Sequence, residues 1–499
     1  MTLLRYPQKK VIFGLLFVII LAGYVAYYPG VGIDYYEDDY QDVFNQPSSK
    51  ILYYFFNNNP DKNFYRPIEA SFLAFVQTYF GLNTAPIQLT QIGMHALLAW
   101  FIFIFILKKR FTFAQATIGS VFFLLSQANA MAVLSNDTLS QIGSTFFGWV
   151  SMFSIYLFLE NRKSPEGGRQ KESKYHIYYI ASIAAFLFTL LSKETGISFF
   201  LLIAALTLIY ATKMGKDGRR KQFLLDILPF LIVLFLFLVI RSVVAKAQPH
   251  FGSDRYALHF GSNVVINLIE LFALAFIPAS SVDFITSILQ RHIISMFLFF
   301  CSGSILIILT FYNLTKKNNH NLTLLLFGFS VIALFPTFIL NHISELYVYN
   351  AMPVISILTG LGLGRLYEAT NRATTRRAVI LCLFAVLLIS HVSALRSKAY
   401  LMKENGKRAT ELLNQIKPFL PNIPLDGMLV LVNPSPTDIE YSVFKINGFN
   451  VLSRSRRIQQ LSNRYDIKVT IINKDNVEKY RGNDFVLILG IEDGMVKKL

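Results

Sequence analysis

The residues able to do chemistry fall into five short clusters. The first is Glu37-Asp38-Asp39. Adjacent carboxylates raise one another's pKa, and partial burial raises them further. A carboxylate so tuned can take a proton from a hydroxyl or hold a divalent cation; the competing reading is a solvated acidic loop. The second is Tyr65-Arg66-Pro67-Ile68-Glu69. The planar guanidinium of an arginine can grip two phosphate oxygens at once, although a Tyr/Arg pair also serves as an interfacial anchor. The third is Asn136-Asp137, which can face the same space or simply cap a helix. The fourth is Ser192-Lys193-Glu194-Thr195-Gly196 at a sharp reversal. A Lys–Glu pair wedged between apolar helices is costly unless it satisfies itself or meets a ligand. The fifth is Asn341-His342-Ile343-Ser344-Glu345-Leu346-Tyr347-Val348-Tyr349. Its His342 and Glu345 would share a helix face, but two ligands do not define a metal site; its aromatic residues also suit an interface belt.

The elements that must position these clusters are apolar. Of 499 residues, 54% are apolar and 15% charged, with 46 Phe, whereas soluble domains carry about 25% charge. A single soluble enzyme domain and intrinsic disorder are both excluded. A bilayer core needs about 20 apolar residues per helix. Eleven segments qualify: 11–28, 86–107, 111–128, 140–159, 177–191, 197–212, 223–241, 293–312, 322–340, 350–367 and 378–395. The first follows Lys9 and Lys10 and ends in Tyr27-Tyr28-Pro29-Gly30 without a small-residue cleavage site, so it reads as an uncleaved anchor.

With the N-terminus in the cytoplasm, Lys108-Lys109-Arg110, the basic stretches 160–176 and 213–222, Lys316-Lys317 and the arginines of 365–377 all lie inside. The short loops facing away carry one cation, Lys193. This is the positive-inside pattern. Much of the net charge of +17 is therefore a topology label, and no nucleic-acid partner is expected. The stretch 263–290, interrupted by Glu270, Pro278 and Asp283, reads as interfacial or re-entrant on the outer side. Cys301 and Cys382 sit in apolar runs and suggest neither a disulfide framework nor a thiolate metal site.

This topology puts the clusters on one outer side. There the chain also presents the acidic loop 29–85, the loop 241–292, and a tail, 396–499, of ordinary polarity with 17 Lys/Arg and 11 Asp/Glu. A helical pattern near 398–418 precedes strand-like runs at Met428–Val432 and Phe485–Leu489, the signature of a small α/β domain. The expected fold is an all-α polytopic membrane protein with about 11 transmembrane helices over 1–395. A small extracytoplasmic α/β domain over 396–499 completes it.

Taken in order, the clusters resemble those of the GT-C superfamily of membrane glycosyltransferases. Within it they are most similar to the protein O-mannosyltransferase-like group and the tetratricopeptide-repeat transmembrane mannosyltransferases. That group shows an acidic pair after the first span, Tyr-Arg-Pro-Leu before the second and a His within it. A Ser-Lys-Glu turn follows, then Glu-Arg-Tyr-Leu-Tyr at a late span. The counterparts here are Asp38-Asp39, Tyr65-Arg66-Pro67-Ile68, His95, Ser192-Lys193-Glu194 and Glu345-Leu346-Tyr347-Val348-Tyr349. Leu346 stands where the group has Arg, with Arg241, Lys246 or Arg255 as substitutes to consider. The tetratricopeptide repeats are absent, and the tail is similar to the small outer domain of bacterial lipid-sugar transferases.

The resemblance implies a sugar donor on a polyprenyl phosphate, met sideways from the bilayer. It implies a single inverting displacement onto a hydroxyl of a glycan, lipid or protein. Asp38 would be the general base, and Asp39 or Asp137 would orient the acceptor or hold a divalent cation. Arg66 and Lys193, with Tyr65, would bind the donor phosphate. Glu194, His342, Glu345 and Tyr347 would be accessory. The expected location is a bacterial inner membrane, with the active site and tail periplasmic or extracellular. Two other classes compete: a lipid or glycan transporter or flippase, disfavoured because no internal repeat is visible, and a non-catalytic scaffold that binds a partner through its tail.

Overall fold

The computed structural model describes residues 9–39, 51–57, 64–109, 111–162, 169–212, 216–245, 257–311, 320–341, 343–369, 374–433, 444, 446, 448–452, 456–464 and 466–499. Its first part is a helical bundle. Helix α1 spans Lys9–Tyr27, α2 Pro67–Phe80, α3 Ala85–Lys108 and α4 Phe113–Leu125. Then come α5 (Ala130–Leu134), α6 (Leu139–Arg162), α7 (Arg169–Ser192), α8 (Ile197–Ala211) and α9 (Lys216–Ala245). After α10 (Asn263–Phe276) and α11 (Ser281–Leu289) follow α12 (Ile293–Phe311), α13 (His320–Leu334), α14 (Met352–Ala369) and α15 (Thr374–Ile416).

Seven helices among the described residues are long and apolar enough to cross a membrane, matching expected spans 11–28, 86–107, 140–159, 177–191, 197–212, 223–241 and 378–395. An eighth crossing arises if Phe113–Leu125 and Gln127–Leu134, bent by 46°, form one broken span. The other three expected segments coincide with α12, α13 and α14. Large apolar side chains face outward along α9 and α12, among them Phe235, Phe297 and Phe300. Such faces need lipid beside them, and the chain is an integral membrane protein. The stretch 263–290 folds as α10 and α11, of 14 and 9 residues. At 1.5 Å per residue each is shorter than a bilayer core of about 30 Å.

Local chemistry sets the helix ends near the site. Pro67 opens α2, its fixed φ suited to the first helical position. A capping box of Thr112 and Gln115 opens α4. Close packing of α4 on α14 relies on Gly360, where a Cβ would stand 2.6 Å from the Gln115 carbonyl oxygen.

The 43-residue α15 runs through residue 395 and carries the chain out of the bundle, so the boundary expected there falls within one helix. Beyond it lies a four-stranded sheet of β1 (Met428–Asn433), β2 (Lys468–Asn473), β3 (Val486–Glu492) and β4 (Met495–Lys498), with the short α16 (Arg456–Ser462) before β2. The order is β2-β1-β3-β4. Central β1 pairs in parallel with β2 and β3, and β4 pairs antiparallel to β3. Strand β1 is buried along nearly its whole length, as its unbroken Leu-Val-Leu-Val run requires.

Candidate functional site

The helices deliver the polar residues to one end of the bundle. Arg66 precedes α2, Gln88 is in the first turn of α3, and Asn136-Asp137 sit in the turn before α6. Lys193 and Glu194 lie in the reversal between α7 and α8, and the turn Glu345–Asn350 precedes α14. The ion pairs Arg162–Asp226 and Lys109–Glu160 lie at the other ends of α6 and α3, where cytoplasmic loops are expected.

Asp39 is buried, and its Oδ2 accepts from the Tyr36 backbone N–H at 3.1 Å and from Asn136 Nδ2 at 3.0 Å. Asn136 Oδ1 in turn accepts from Gln88 Nε2 at 2.5 Å. A carboxylate with two donors on one oxygen is a fixed anchor, and it joins the acidic loop to α3 and to the turn before α6. Asp38 beside it is exposed. Glu37 adopts φ 49°, the left-handed region that reverses the chain here. Burial, and then the charge of Asp39, hold the Tyr36 hydroxyl well above its ordinary range.

Arg66 and Glu194 are joined across the bundle by two hydrogen bonds, Nε to Oε2 at 3.0 Å and Nη2 to Oε1 at 2.6 Å. The guanidinium also stacks 4.4 Å from the Phe64 ring centroid and lies 3.9 Å from Glu69. Glu69 is buried, and its Oε1 accepts from the Ser140 backbone N–H at 2.9 Å. That N–H is one of the unsatisfied donors in the first turn of α6, so a carboxylate suits it.

Lys193 is 5% exposed. Among the described residues its ammonium makes no hydrogen bond or ion pair with another side chain. Burial, and then the charge of Arg66, bring its pKa down to about 8; Glu194, Glu69 and Asp137 act against this without reversing it. Asp137 accepts from the Ser135 hydroxyl at 2.6 Å and lies within the field of both Lys193 and Tyr36. Gly196 makes the reversal tight enough: a Cβ there would stand 2.7 Å from Thr189 Cγ2 and 2.9 Å from Ser144 Oγ.

The structure therefore brings Asp39, Arg66, Asp137, Lys193 and Glu194 together, with Asp38 adjoining. Tyr65 is buried, and its hydroxyl donates to the Phe55 carbonyl at 2.9 Å. Glu345 joins a different set. Its Oε1 accepts from the Ser281 backbone N–H at 2.5 Å, at the start of α11, and its Oε2 pairs with Lys398. Lys398 is fully buried and also donates to the Gln127 side chain. Tyr347 is buried in the same turn. His342 lies outside the described residues, as do Lys246 and Arg255. His95 sits in the core, between the Tyr349 hydroxyl at 3.0 Å and the Tyr27 hydroxyl at 3.3 Å.

Sequence reasoning passed over Gln88, Gln127, Gln141 and Lys398. Gln141 donates to Asn350 at 2.6 Å, tying α6 to the turn before α14. The available signal was a carboxamide inside an apolar run, which is costly without a partner. Among the described residues, no group of three or more His, Cys, Asp or Glu is arranged to hold a metal ion.

No protein-family model matches the chain, and no curated protein matches it in sequence. Solved structures do. ArnT from Cupriavidus metallidurans bound to undecaprenyl phosphate aligns at TM-score 0.53 and 12% identity, covering 96% of this chain and 93% of its own. The apo state of the same protein gives 0.52 and 11% over the same shares. An oligosaccharyltransferase from Archaeoglobus fulgidus, tethered to an acceptor peptide, gives 0.49 and 10%, covering 92% of this chain and 64% of its own. The likeness to ArnT extends over nearly the full length of both chains and shows that the two share a fold.

Proposed function

We propose that the protein is a membrane glycosyltransferase that moves a sugar from a polyprenyl-phosphate donor to an acceptor hydroxyl by one inverting displacement. The observation that carries this reading is Lys193, a buried cation without a direct counterion, set in the field of Glu194, Glu69 and Asp137 at one end of the bundle. An unpaired buried charge costs several kcal/mol, and a phosphate oxygen is the partner that would offset it. The fold similarity adds support, since one ArnT structure holds undecaprenyl phosphate.

In this reading Lys193 meets the donor phosphate. Arg66, its fork occupied by Glu194, fixes the Lys193 turn and adds its field. Asp38 takes the acceptor hydroxyl proton as the oxygen attacks the anomeric carbon from the face opposite the phosphate. The bond from carbon to phosphate oxygen breaks, and the charge left on phosphate is stabilised by Lys193. Asp39, immobilised by Asn136, holds Asp38 in register, and Asp137 orients the acceptor. Asp38 and Asp39 would offer a hard divalent cation two carboxylates, the number a magnesium ion beside a substrate phosphate commonly uses; no step is routed through one. The acceptor is a glycan, lipid or protein hydroxyl on the outer side of a bacterial inner membrane.

The test is mass spectrometry of envelope glycans, lipids and proteins from cells with the native chain, without it, and with Asp38→Asn. A sugar modification present only with the native chain is expected. Donor movement between leaflets of liposomes containing the purified protein, with no modification in cells, would favour a transporter instead.

A further inference from the structure

The tail does more than hang from the bundle. Its 448–452 turn accepts a hydrogen bond from the acidic loop: the Glu37 N–H donates to the Val451 carbonyl at 2.7 Å. Glu37 is the left-handed residue that turns the chain into Asp38, so this bond holds the reversal itself. The turn is in turn fixed to the sheet. Asn433, at the end of β1, accepts from the Phe449 N–H at 2.7 Å and donates to Asn450 at 3.0 Å. A second contact comes from α15. Gly406 lies against the loop so closely that a Cβ would stand 2.6 Å from the Asp34 carbonyl oxygen and 3.0 Å from its nitrogen. Backbone atoms offer no flexible end that could yield to a side chain there.

The geometry points to the tail as a positioning element for the acidic loop, with Gly406 and Asn433 as its positioning residues. The loop is held from two sides: Asp39 is tied to the bundle through Asn136, and Glu37 is tied to the tail through Val451. Asp38 stands between these two ties. Its direction is therefore set by the tail as much as by the membrane helices. The inference rests on the transfer reading for its catalytic consequence, but the structural contact can be measured separately.

The experiment uses the full chain in lipid nanodiscs. Gly406→Ala and Asn433→Ala are compared with the native chain and with Lys407→Ala, a neighbour whose side chain is 75% exposed. Hydrogen exchange is followed over 31–39 and 448–452, and sugar transfer is measured with the donor and acceptor identified by the cellular test. Gly406→Ala and Asn433→Ala should speed exchange in 31–39 and lower kcat roughly 10- to 100-fold, the scale of an ångström-sized misplacement. The donor KM should stay within about twofold of native, because Lys193 and Arg66 are untouched, and Lys407→Ala should match native in both assays. Unchanged exchange in 31–39 overturns the inference, and so does faster exchange with native kcat. A native chain that transfers no sugar overturns the transfer reading instead, an outcome told apart because it precedes any comparison of variants.

Discussion

Arg66 grips both carboxylate oxygens of Glu194 although 128 residues separate them in the chain. The pair ties the start of α2 to the reversal between α7 and α8, and Lys193 is the residue it sets in place. A lysine cannot reproduce the fork, because its ammonium is a single point charge. Arg66→Lys is expected to lower transfer about 10-fold or more, and Arg66→Ala further. Glu194→Gln should behave like Arg66→Lys, since it keeps the shape and loses the charge. Initial rates of transfer over a range of donor concentrations check this; native rates in Arg66→Lys would refute the positioning role.

Asp38 carries the proton-transfer role in the proposed mechanism, whereas Asp39 is an anchor. Their substitutions should therefore fail differently. Asp38→Asn keeps the size of the side chain and should reduce kcat by about 10²- to 10⁴-fold, the range for a general base, with normal insertion and thermal unfolding. Asp39→Asn leaves the Tyr36 N–H and Asn136 with a weaker acceptor and should lower both activity and the unfolding temperature. Thermal unfolding in detergent alongside the transfer assay separates the two; equal activity in Asp38→Asn and the native chain would exclude Asp38 as the base.

The membrane fold was largely legible because long apolar runs have few alternative fates in a bilayer. The positive-inside bias then placed Arg66, Asp137 and Lys193 on one side, and the structure groups them at one bundle end. The bidentate Arg66–Glu194 bond was not legible, because nothing in either segment names a partner 128 residues away. The continuity of α15 through residue 395 was hidden by its change from apolar to mixed composition, which marks a membrane surface without marking a helix end. Strands β1 and β3 showed themselves as buried apolar runs, whereas β2 and β4, more exposed in the sheet, did not. Lys398 was missed because its partner Glu345 lies on another element.

Lys398 and Glu345 form an ion pair whose side chains are 1% and 4% exposed. Gln127, Ser281 and the Phe444 ring lie against it, with His391 nearby. Removing one member leaves the other charged and buried, at a cost of about 3–5 kcal/mol. Lys398→Met and Glu345→Gln should each lower the unfolding temperature strongly. The double variant should fall well short of the sum, because neither charge then remains. A double-mutant cycle on thermal unfolding in detergent gives the coupling, and additive losses would show that the two side chains do not act as a pair.

In the proposed reaction Lys193 would set a pH dependence whose sign can be worked out. Its pKa falls from the ordinary 10.5 to about 8, chiefly through burial and then through Arg66. Below about pH 8 the free enzyme presents an ammonium to the donor phosphate, and above it an amine. Apparent donor affinity, read as kcat/KM, should thus decline as pH rises through 8, approaching tenfold per unit. Bound phosphate favours the charged form, so the corresponding limb in kcat should lie at higher pH. Stability runs the other way. Between about 8 and 10.5 the unfolded chain binds this proton more tightly than the folded one, so the fold gains stability as pH rises, and the lost activity is not unfolding. Lys193→Gln should lower kcat/KM about 10²-fold or more, as does loss of one donor to a developing charge, and should flatten the alkaline limb. A pH series of initial rates for the two proteins decides it: an unchanged limb in Lys193→Gln would assign the titration to another group and remove Lys193 from the phosphate site.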